Sequence, residues 1–185
     1  MSPRIACLLV PDLPLRAELR AHPESASAPL AVASGPGARA DVIAASPAAR
    51  AAGVRIAHSI AQARAACPNL QVRTASPALE EAARATLLDI ALSLSPRAEI
   101  APRISGLFFT EASVFLDASG IEGIFRSEPA FASALLARAE NQGLPGVVGI
   151  ASSRCIALLV ARQRIREGSP IHCLPPQEER AFLAP

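Results

Sequence analysis

The chain has 185 residues, of which 51% are hydrophobic and 18% charged, and its formal net charge is only +2. This length and apolar content allow a substantial core in one large domain or two small ones. Arginine is abundant and lysine is absent, but the chain has no Trp or Tyr and only six Phe. Because single-stranded nucleic acids bind by stacking on aromatic side chains, composition does not indicate a free-standing nucleic-acid-binding domain.

Composition also bears on location and redox state. No apolar run approaches the roughly 20 residues that cross a bilayer, and Met1–Arg4 is too short for the charged region of a signal peptide, so we expect a cytoplasmic protein. The cysteines are scattered without a C-x-x-C pair, which favours reduced and mostly buried thiols over a disulfide or a zinc site.

The first predicted element is a strand at Ile5–Val10, because six consecutive apolar residues are typical of a strand buried on both faces of a sheet. Pro11 ends the strand and Asp12 follows it. The ends of central strands often carry catalytic groups, so this carboxylate is a first candidate. A short helix is predicted from Leu13 to Leu19.

The next stretch predicts a small α+β unit. Two short apolar runs at 30–33 and 42–45 are separated by glycine and proline, which is typical of a hairpin. Short helices are predicted at 46–50 and 59–67, ended by a glycine and a proline that follow them.

The second half of the chain has a different order of elements. A long amphipathic helix is predicted from residue 76 to 94, with strands near 97–101, 114–117 and 147–151, a helix after Ser127, and a third helix after Ser153. Without the α+β unit, the order is strand, helix, strand, strand, helix, strand. We therefore predict an α+β fold: a ferredoxin-like split βαβ domain with an antiparallel four-stranded sheet and helices on one face, interrupted by an inserted α+β subdomain.

Four short motifs are more specific than these patterns. Residues 49–55 read A-R-A-A-G-V-R, and residues 63–70 read A-R-A-A-C-P-N-L. Together they resemble the fingers signature of Y-family (UmuC-like) DNA polymerases. The sequences G-I-A-S-S-R at 149–154 and F-L-D at 115–117 resemble two palm motifs of the same family. Their order and spacing fit along nearly the whole chain.

This resemblance implies a domain organisation. Residues 1–12 and 76–170 would form the palm, and residues 13–75 would form the inserted fingers. Residues 171–185 would begin a linker toward a thumb region, which together with the DNA-binding little finger and a clamp-binding tail would lie beyond this sequence.

The family uses two magnesium ions, held by an Asp at the end of the first strand and by an Asp-Glu pair before the Y-L-D motif. Several carboxylates must converge there, because each ion takes octahedral oxygen coordination and bridges nucleotide phosphates. Aligning the motifs places Val10, Ala112 and Ser113 at these positions, so all three ligands are lost. Glu111 lies one residue and Asp12 two residues from a ligand position, so they are weak candidates for displaced ligands. A slip of one residue turns a side chain to the other face of the sheet, and a slip of two residues moves it about 7 Å along the strand. We therefore expect no catalytic residues, no bound metal and no cofactor.

The family's phosphate contacts are partly retained. Its sugar-selecting aromatic falls on Leu15, and its triphosphate-contacting Tyr falls on Pro47. Arg50 matches the family's arginine, and Arg154 replaces a lysine, which keeps the charge but not the shape. The resemblance implies a nucleotide or phosphate-binding remnant of Arg50, Arg55 and Arg154 in one cleft; the alternative is that these arginines only cap helices in water.

Two further polar residues are interpreted as structural. Asp117 is expected to accept hydrogen bonds from the backbone after the strand it ends, rather than to bind metal. His58 precedes Ser59, but no third group that would orient an acid–base pair is evident, so a loop histidine is expected.

An intact scaffold without carboxylates is similar to the catalytically inactive ImuB subgroup of the Y family. That resemblance implies a bacterial adaptor or scaffold in translesion synthesis and SOS mutagenesis, working with an error-prone replicative-type polymerase, a RecA-like protein and the sliding clamp. DNA binding through this region is expected to be weak. Two alternatives remain: an active low-fidelity polymerase with relocated metal ligands, and a ferredoxin-like interaction domain of another function.

Overall fold

The computed structural model of the chain describes residues 3–103 and 110–184, and it divides into two compact units. The five-stranded unit comprises the described residues of Met1–Pro11, Arg84–Arg103 and Ala112–Pro185. The three-stranded unit comprises those of Asp12–Ala83 and Ile104–Glu111. From the sequence, the inserted fingers were predicted to end at residue 75. The predicted palm range also contains residues 104–109, which lie outside the described part of the chain.

Eight strands and eight α-helices are found in the described residues. The strands are β1 (Ile5–Val10), β2 (Leu30–Ala33), β3 (Val42–Ala45), β4 (Gln71–Thr74), β5 (Ala98–Ile100), β6 (Ala112–Asp117), β7 (Val147–Ala151) and β8 (Ile171–Cys173). The helices are α1 (Leu13–Ala21), α2 (Pro47–Ala51), α3 (Ile60–Ala66), α4 (Pro77–Leu92), α5 (Glu122–Phe125), α6 (Glu128–Asn141), α7 (Arg154–Glu167) and α8 (Glu179–Phe182). None of these helices is long and apolar enough to cross a membrane.

The sheet of the five-stranded unit has the order β5-β6-β1-β7-β8. Strand β1 is central and runs antiparallel to both β6 and β7. The predicted α+β class is confirmed, but the predicted four-stranded, wholly antiparallel sheet is corrected by β8, which pairs in parallel with β7. Helix α7 lies between these two strands in the chain and reverses its direction, so the next extended segment can join the free edge of β7 in parallel.

Helices cover both faces of this sheet rather than one. Cys7 and Leu9 of β1 pack against Ala157 and Ala161 of α7. The alternate residues of β1 are equally buried, as expected for a strand covered on both sides, and α6 contacts β1, β7 and β8. The predicted arrangement of helices on one face is therefore corrected, because α7 folds back over the sheet.

Gly149 allows α7 to lie directly against β7. A Cβ atom at this position would be 2.7 Å from the backbone nitrogen of Ala161 and 3.1 Å from Cβ of Val160. No side chain fits there without moving the helix, so this glycine is required by the close approach of backbone to backbone.

The three-stranded unit has the order β3-β2-β4. The predicted hairpin is confirmed, since β2 and β3 are antiparallel, whereas β4 was not predicted and pairs in parallel with β2. One face of this small sheet belongs to a core that includes Ala49 of α2 and Ala63 of α3. The other face packs against Leu15 of α1. The predicted helix starts are also confirmed: Ser46 caps α2, and Ser59 forms a capping box with Gln62.

Candidate functional site

The three positions at which the resemblance places metal ligands meet at one end of the five-stranded sheet. Val10 is paired with Ala112, and Leu9 is paired with Ser113. Val10 is 0% exposed, Ala112 1% and Ser113 7%. Two neighbouring strand ends therefore converge as a two-metal site requires, but they present methyl groups and one hydroxyl where anionic oxygens are needed. These residues do not fit a pair of magnesium ions.

The two weak candidates for displaced ligands, Asp12 and Glu111, belong to the three-stranded unit. The carboxylate of Asp12 is engaged in an ion pair with Arg50. Across residues 3–103 and 110–184, no three His, Cys, Asp or Glu side chains are grouped as a metal site requires.

Arg50 lies in the last turn of α2, which the fingers motif forms. Gly53 follows with φ of 94°, a conformation that glycine adopts freely, and its N–H donates to the carbonyl of Arg50. Val54 is then buried, which fixes the turn. The motif thus holds the backbone of Arg50 firmly while leaving 47% of its side chain exposed.

The guanidinium of Arg50 has an acidic partner within the same unit. Its Nη2 donates to Oδ2 of Asp12 at 2.5 Å. Arg16 lies one helical turn after Asp12, and its backbone N–H donates to the Asp12 carbonyl. Burial lowers the pKa of Arg16; the nearby Asp12 opposes this shift and Arg50 adds to it. Asp12 thus pairs with Arg50, and its charge also acts on Arg16.

Arg55 follows in an exposed turn. Its backbone N–H donates to Nδ1 of His58 at 3.3 Å, and the His58 N–H donates back to the Arg55 carbonyl. The interpretation of His58 as a loop residue is thereby confirmed, since its ring closes this turn.

Arg154 is the first residue of α7, after Ser153, whose hydroxyl caps the helix. Its Nη2 lies 2.6 Å from Oε2 of Glu99, and its guanidinium carbon lies 5.9 Å from the centre of the Phe115 ring. These groups line a cavity of about 440 Å³ in the five-stranded unit. Both charged side chains are more than half exposed, so the pair contributes little to stability, about 0–1 kcal/mol.

Asp117 ends β6 and also lines this cavity. Its Oδ1 accepts a hydrogen bond from the backbone of Ser119 at 2.9 Å, and its Oδ2 accepts one from Arg97 at 3.0 Å. These hydrogen bonds, with the Ser119 backbone first, lower the pKa of Asp117. The prediction that Asp117 binds the backbone beyond its strand is confirmed for Ser119.

The sequence interpretation placed Arg50, Arg55 and Arg154 in one cleft. The structure puts the first two in the three-stranded unit and Arg154 in the five-stranded unit, so the common cleft stays a prediction. Sequence reasoning missed Arg16 and Glu99. Arg16 lies on the predicted helix that begins just after Asp12, and its place one turn into that helix was the only signal for the first. No local signal could have identified Glu99, because its partner lies far away in sequence.

Solved structures of DNA polymerases are similar to this chain. An insertion ternary complex of Dbh DNA polymerase is similar, with a TM-score of 0.75 and 19% identity, covering 97% of this chain and 51% of that chain. The post-insertion binary complex of Dbh has a TM-score of 0.77 at 18% identity and 97% and 50% coverage. DinB from Sulfolobus solfataricus has a TM-score of 0.72 at 20% identity, again with 97% and 50% coverage. The fold is that of the Y-family DNA polymerase palm.

The family follows from sequence. The model of the impB/mucB/samB family matches residues 13–162, which is most of the chain. The chain belongs to the impB/mucB/samB family. No curated protein is significantly similar to it in sequence. The chain spans about half the length of the solved structures that it matches, 51% and 50% in the two Dbh complexes.

Proposed function

We propose that this protein is a catalytically degenerate Y-family polymerase that acts as an adaptor or scaffold in translesion DNA synthesis. The observation that carries the proposal is the pairing of Val10 with Ala112 beside Ser113 at the end of the sheet. The scaffold that would hold the metal ligands is present, while the side chains have no carboxylate. A nucleotidyl transfer that needs two cations has no anionic ligands at this position.

The experiment is a primer-extension assay with magnesium, paired with calorimetric titration of magnesium and a deoxynucleotide. We expect no extension and no metal-dependent heat. The alternative of an active polymerase with relocated ligands predicts extension that is lost in Asp12→Ala. That result would overturn the adaptor proposal. The ion pair between Asp12 and Arg50 argues against this alternative, because it already engages the carboxylate.

The proposed partners are proteins of a bacterial SOS mutagenesis complex: an error-prone replicative-type polymerase, a RecA-like protein and the sliding clamp. We propose a cytoplasmic location and no cofactor of the protein's own. An interaction domain of unrelated function is the weaker candidate, since the family match spans the fingers motif and strands β5 to β7. Co-purification tests these contacts: each proposed partner is sought with the protein when the other two partners are deleted. A partner that still co-purifies binds directly, and one that is then absent binds through another partner.

DNA binding through this region is proposed to be weak. The net charge is +2, and Arg50 and Arg154 each have a carboxylate partner that offsets their attraction for phosphate. Affinity for a primer-template measured at two salt concentrations, with Arg50→Ala/Arg154→Ala as the comparison, tests this. Tight binding that resists salt would show that this region grips DNA by itself. Equally weak binding by both proteins would mean that these arginines are structural, and it would favour a function through protein partners.

A further inference from the structure

The α4–α6 groove lies between helices α4 and α6 of the five-stranded unit, away from the strand ends and the arginines discussed above. It has a volume of about 510 Å³. Side chains at helical spacing form its two walls: Thr86, Asp89 and Ser93 on or just after α4, and Arg138, Asn141 and Gln142 on or just after α6. Because residues three and four positions apart lie on one face of a helix, each helix turns one continuous stripe toward the groove.

Hydrogen bonds at the C-terminal end of α4 hold the two walls together. Nη1 of Arg138 donates to the carbonyl oxygen of Ser93 at 3.2 Å and to its hydroxyl oxygen at 2.5 Å. The Ser93 hydroxyl in turn donates to the carbonyl of Ile90 at 2.6 Å. A guanidinium at this end also meets the negative pole of the helix dipole. The groove is therefore formed by contacts within the unit itself and needs no ligand to shape it.

Two opposite charges in this groove are not used within the chain. Asp89 and Arg138 both line it and are both exposed, but in the described part of the chain neither forms an ion pair. The hydrogen bonds from Arg138 to Ser93 use one of its three nitrogens. A carboxylate and a guanidinium in one groove can thus each take a partner of opposite sign from another molecule.

The shape and the charges of the groove fit a helix. Ridges of side chains on a third helix match a groove whose walls repeat every three and four residues. The stripe from Thr86 to Ser93 is about 10 Å long at 1.5 Å per residue, which corresponds to about two turns of a partner helix. DNA fits less well, because its phosphates would meet the carboxylate of Asp89.

We infer that the α4–α6 groove is a docking surface for a helical segment of a partner protein. The segment carries a basic residue that meets Asp89 and an acidic residue that meets Arg138. An aliphatic residue between them packs over Ile90, which also lines the groove and is 7% exposed. The inference rests on the proposed adaptor function, since the partner is sought among the three proteins of the mutagenesis complex. It goes beyond that function by assigning the surface and the chemistry of the segment.

The test measures binding of each purified partner, the error-prone polymerase, the RecA-like protein and the sliding clamp, to the whole chain by biolayer interferometry. Asp89→Lys places a cation opposite the basic residue of the segment, and we expect about tenfold weaker binding to one of the three proteins. Asn141→Trp fills the groove without changing the charge, and a loss of at least about tenfold is expected. Both positions are exposed, so both variants should fold, which thermal unfolding checks.

Glu140 supplies matched controls for both variants. It is exposed on α6, and it points away from the groove because it lies two residues after Arg138. Glu140→Lys changes the net charge by the same amount as Asp89→Lys, and Glu140→Trp adds the same ring as Asn141→Trp. Both controls should bind as the wild type does. A loss in the controls equal to that in the groove variants would reduce the effect to net charge or added bulk and overturn the inference.

The salt dependence tests the charge assignment separately. Binding through Asp89 and Arg138 should weaken as the salt concentration rises, because both side chains are exposed to screening. Asp89→Asn removes one of the two charges with little change in shape, so its affinity should fall less with salt than that of the wild type. The same salt dependence in both proteins would contradict a contact at Asp89.

The remaining outcomes separate this inference from the proposed function. A partner that binds the wild type and the groove variants equally would overturn the docking surface and leave the adaptor proposal standing. Binding of none of the three proteins would overturn both. A dimer of this chain that Asp89→Lys dissociates, seen by analytical ultracentrifugation, would assign the groove to a second copy instead. Primer extension by the wild type, together with the expected losses in the groove variants, would refute catalytic degeneracy and leave the docking surface standing.

Discussion

The strand ends of the five-stranded unit and the turn around Arg50 in the three-stranded unit differ in how charge is placed. Val10, Ala112 and Ser113 are buried and carry no charge. Arg50 is partly exposed and has a carboxylate partner. A buried strand end without carboxylates avoids the cost of removing charge from water. An exposed arginine that is paired with a nearby acid changes the free energy of unfolding only slightly.

This difference is tested most directly by placing a charge at the apolar strand end. Val10→Asp places a carboxylate at a fully buried position among apolar neighbours. We expect a loss of about 3–5 kcal/mol in the free energy of unfolding, measured by urea denaturation. Ala48→Asp, at an exposed position in the first turn of α2, is the control and should change little. Wild-type stability in Val10→Asp, together with new magnesium binding, would show that a metal site persists there.

The glycine of the motif at residues 149–154 is explained by the packing of α7 on β7, without any role in binding. Gly149→Ala would bring a Cβ within 2.7 Å of the backbone of Ala161. We expect destabilisation of about 1–3 kcal/mol through displacement of α7, measured by thermal unfolding. Gly35→Ala has no atom within 4 Å of the added Cβ and serves as the control. If both variants unfold at the same temperature, the close packing of α7 on β7 is refuted.

A largely buried carboxylate in the five-stranded unit can be compared with the exposed ion pairs of the arginines. Glu179 in α8 accepts a hydrogen bond from the backbone of Ser152 at 2.6 Å and another from its hydroxyl, and the Glu179 side chain is 11% exposed. Glu179→Gln should lower the free energy of unfolding by about 1.5–3 kcal/mol, since these hydrogen bonds are assisted by charge. Glu178→Gln, its exposed neighbour, is expected to be neutral. Equal effects would mean that α8 contributes no specific contact.

The smallest expected effect concerns pH. The pKa of Asp117 lies below its ordinary value of 3.8, chiefly because of the Ser119 backbone hydrogen bond. A carboxylate with a lower pKa in the folded state adds stability that is present above its unfolded pKa and lost as pH falls through the folded pKa. The difference in stability between the wild type and Asp117→Asn should therefore shrink as the pH is lowered below about 4. A difference that is constant between pH 7 and pH 2 would contradict this assignment.

Much of the fold follows from local sequence patterns. The buried strands at Ile5–Val10 and Val147–Ala151, the hairpin, and the serine-capped helices were predicted because each depends on residues that are close together in the chain. The apolar strand end was likewise predicted from motif alignment, since the spacing along a strand fixes which residue stands at its end. The family match from residue 13 to residue 162 agrees with the motifs on which that alignment depends.

Tertiary structure decided which distant residues became partners. Strands β4 and β8 were missed as sheet members because three or four residues carry too weak a pattern, and only a free edge of a neighbouring strand makes them pair. The ion pairs of Arg50 with Asp12 and of Arg154 with Glu99 join residues far apart in sequence, so no local pattern could reveal them. The sequence alone determined which charged residues this chain has and where along the chain they stand. The tertiary structure determined which of these charges are balanced by a neighbour, because that depends on distances of a few ångströms that only packing sets.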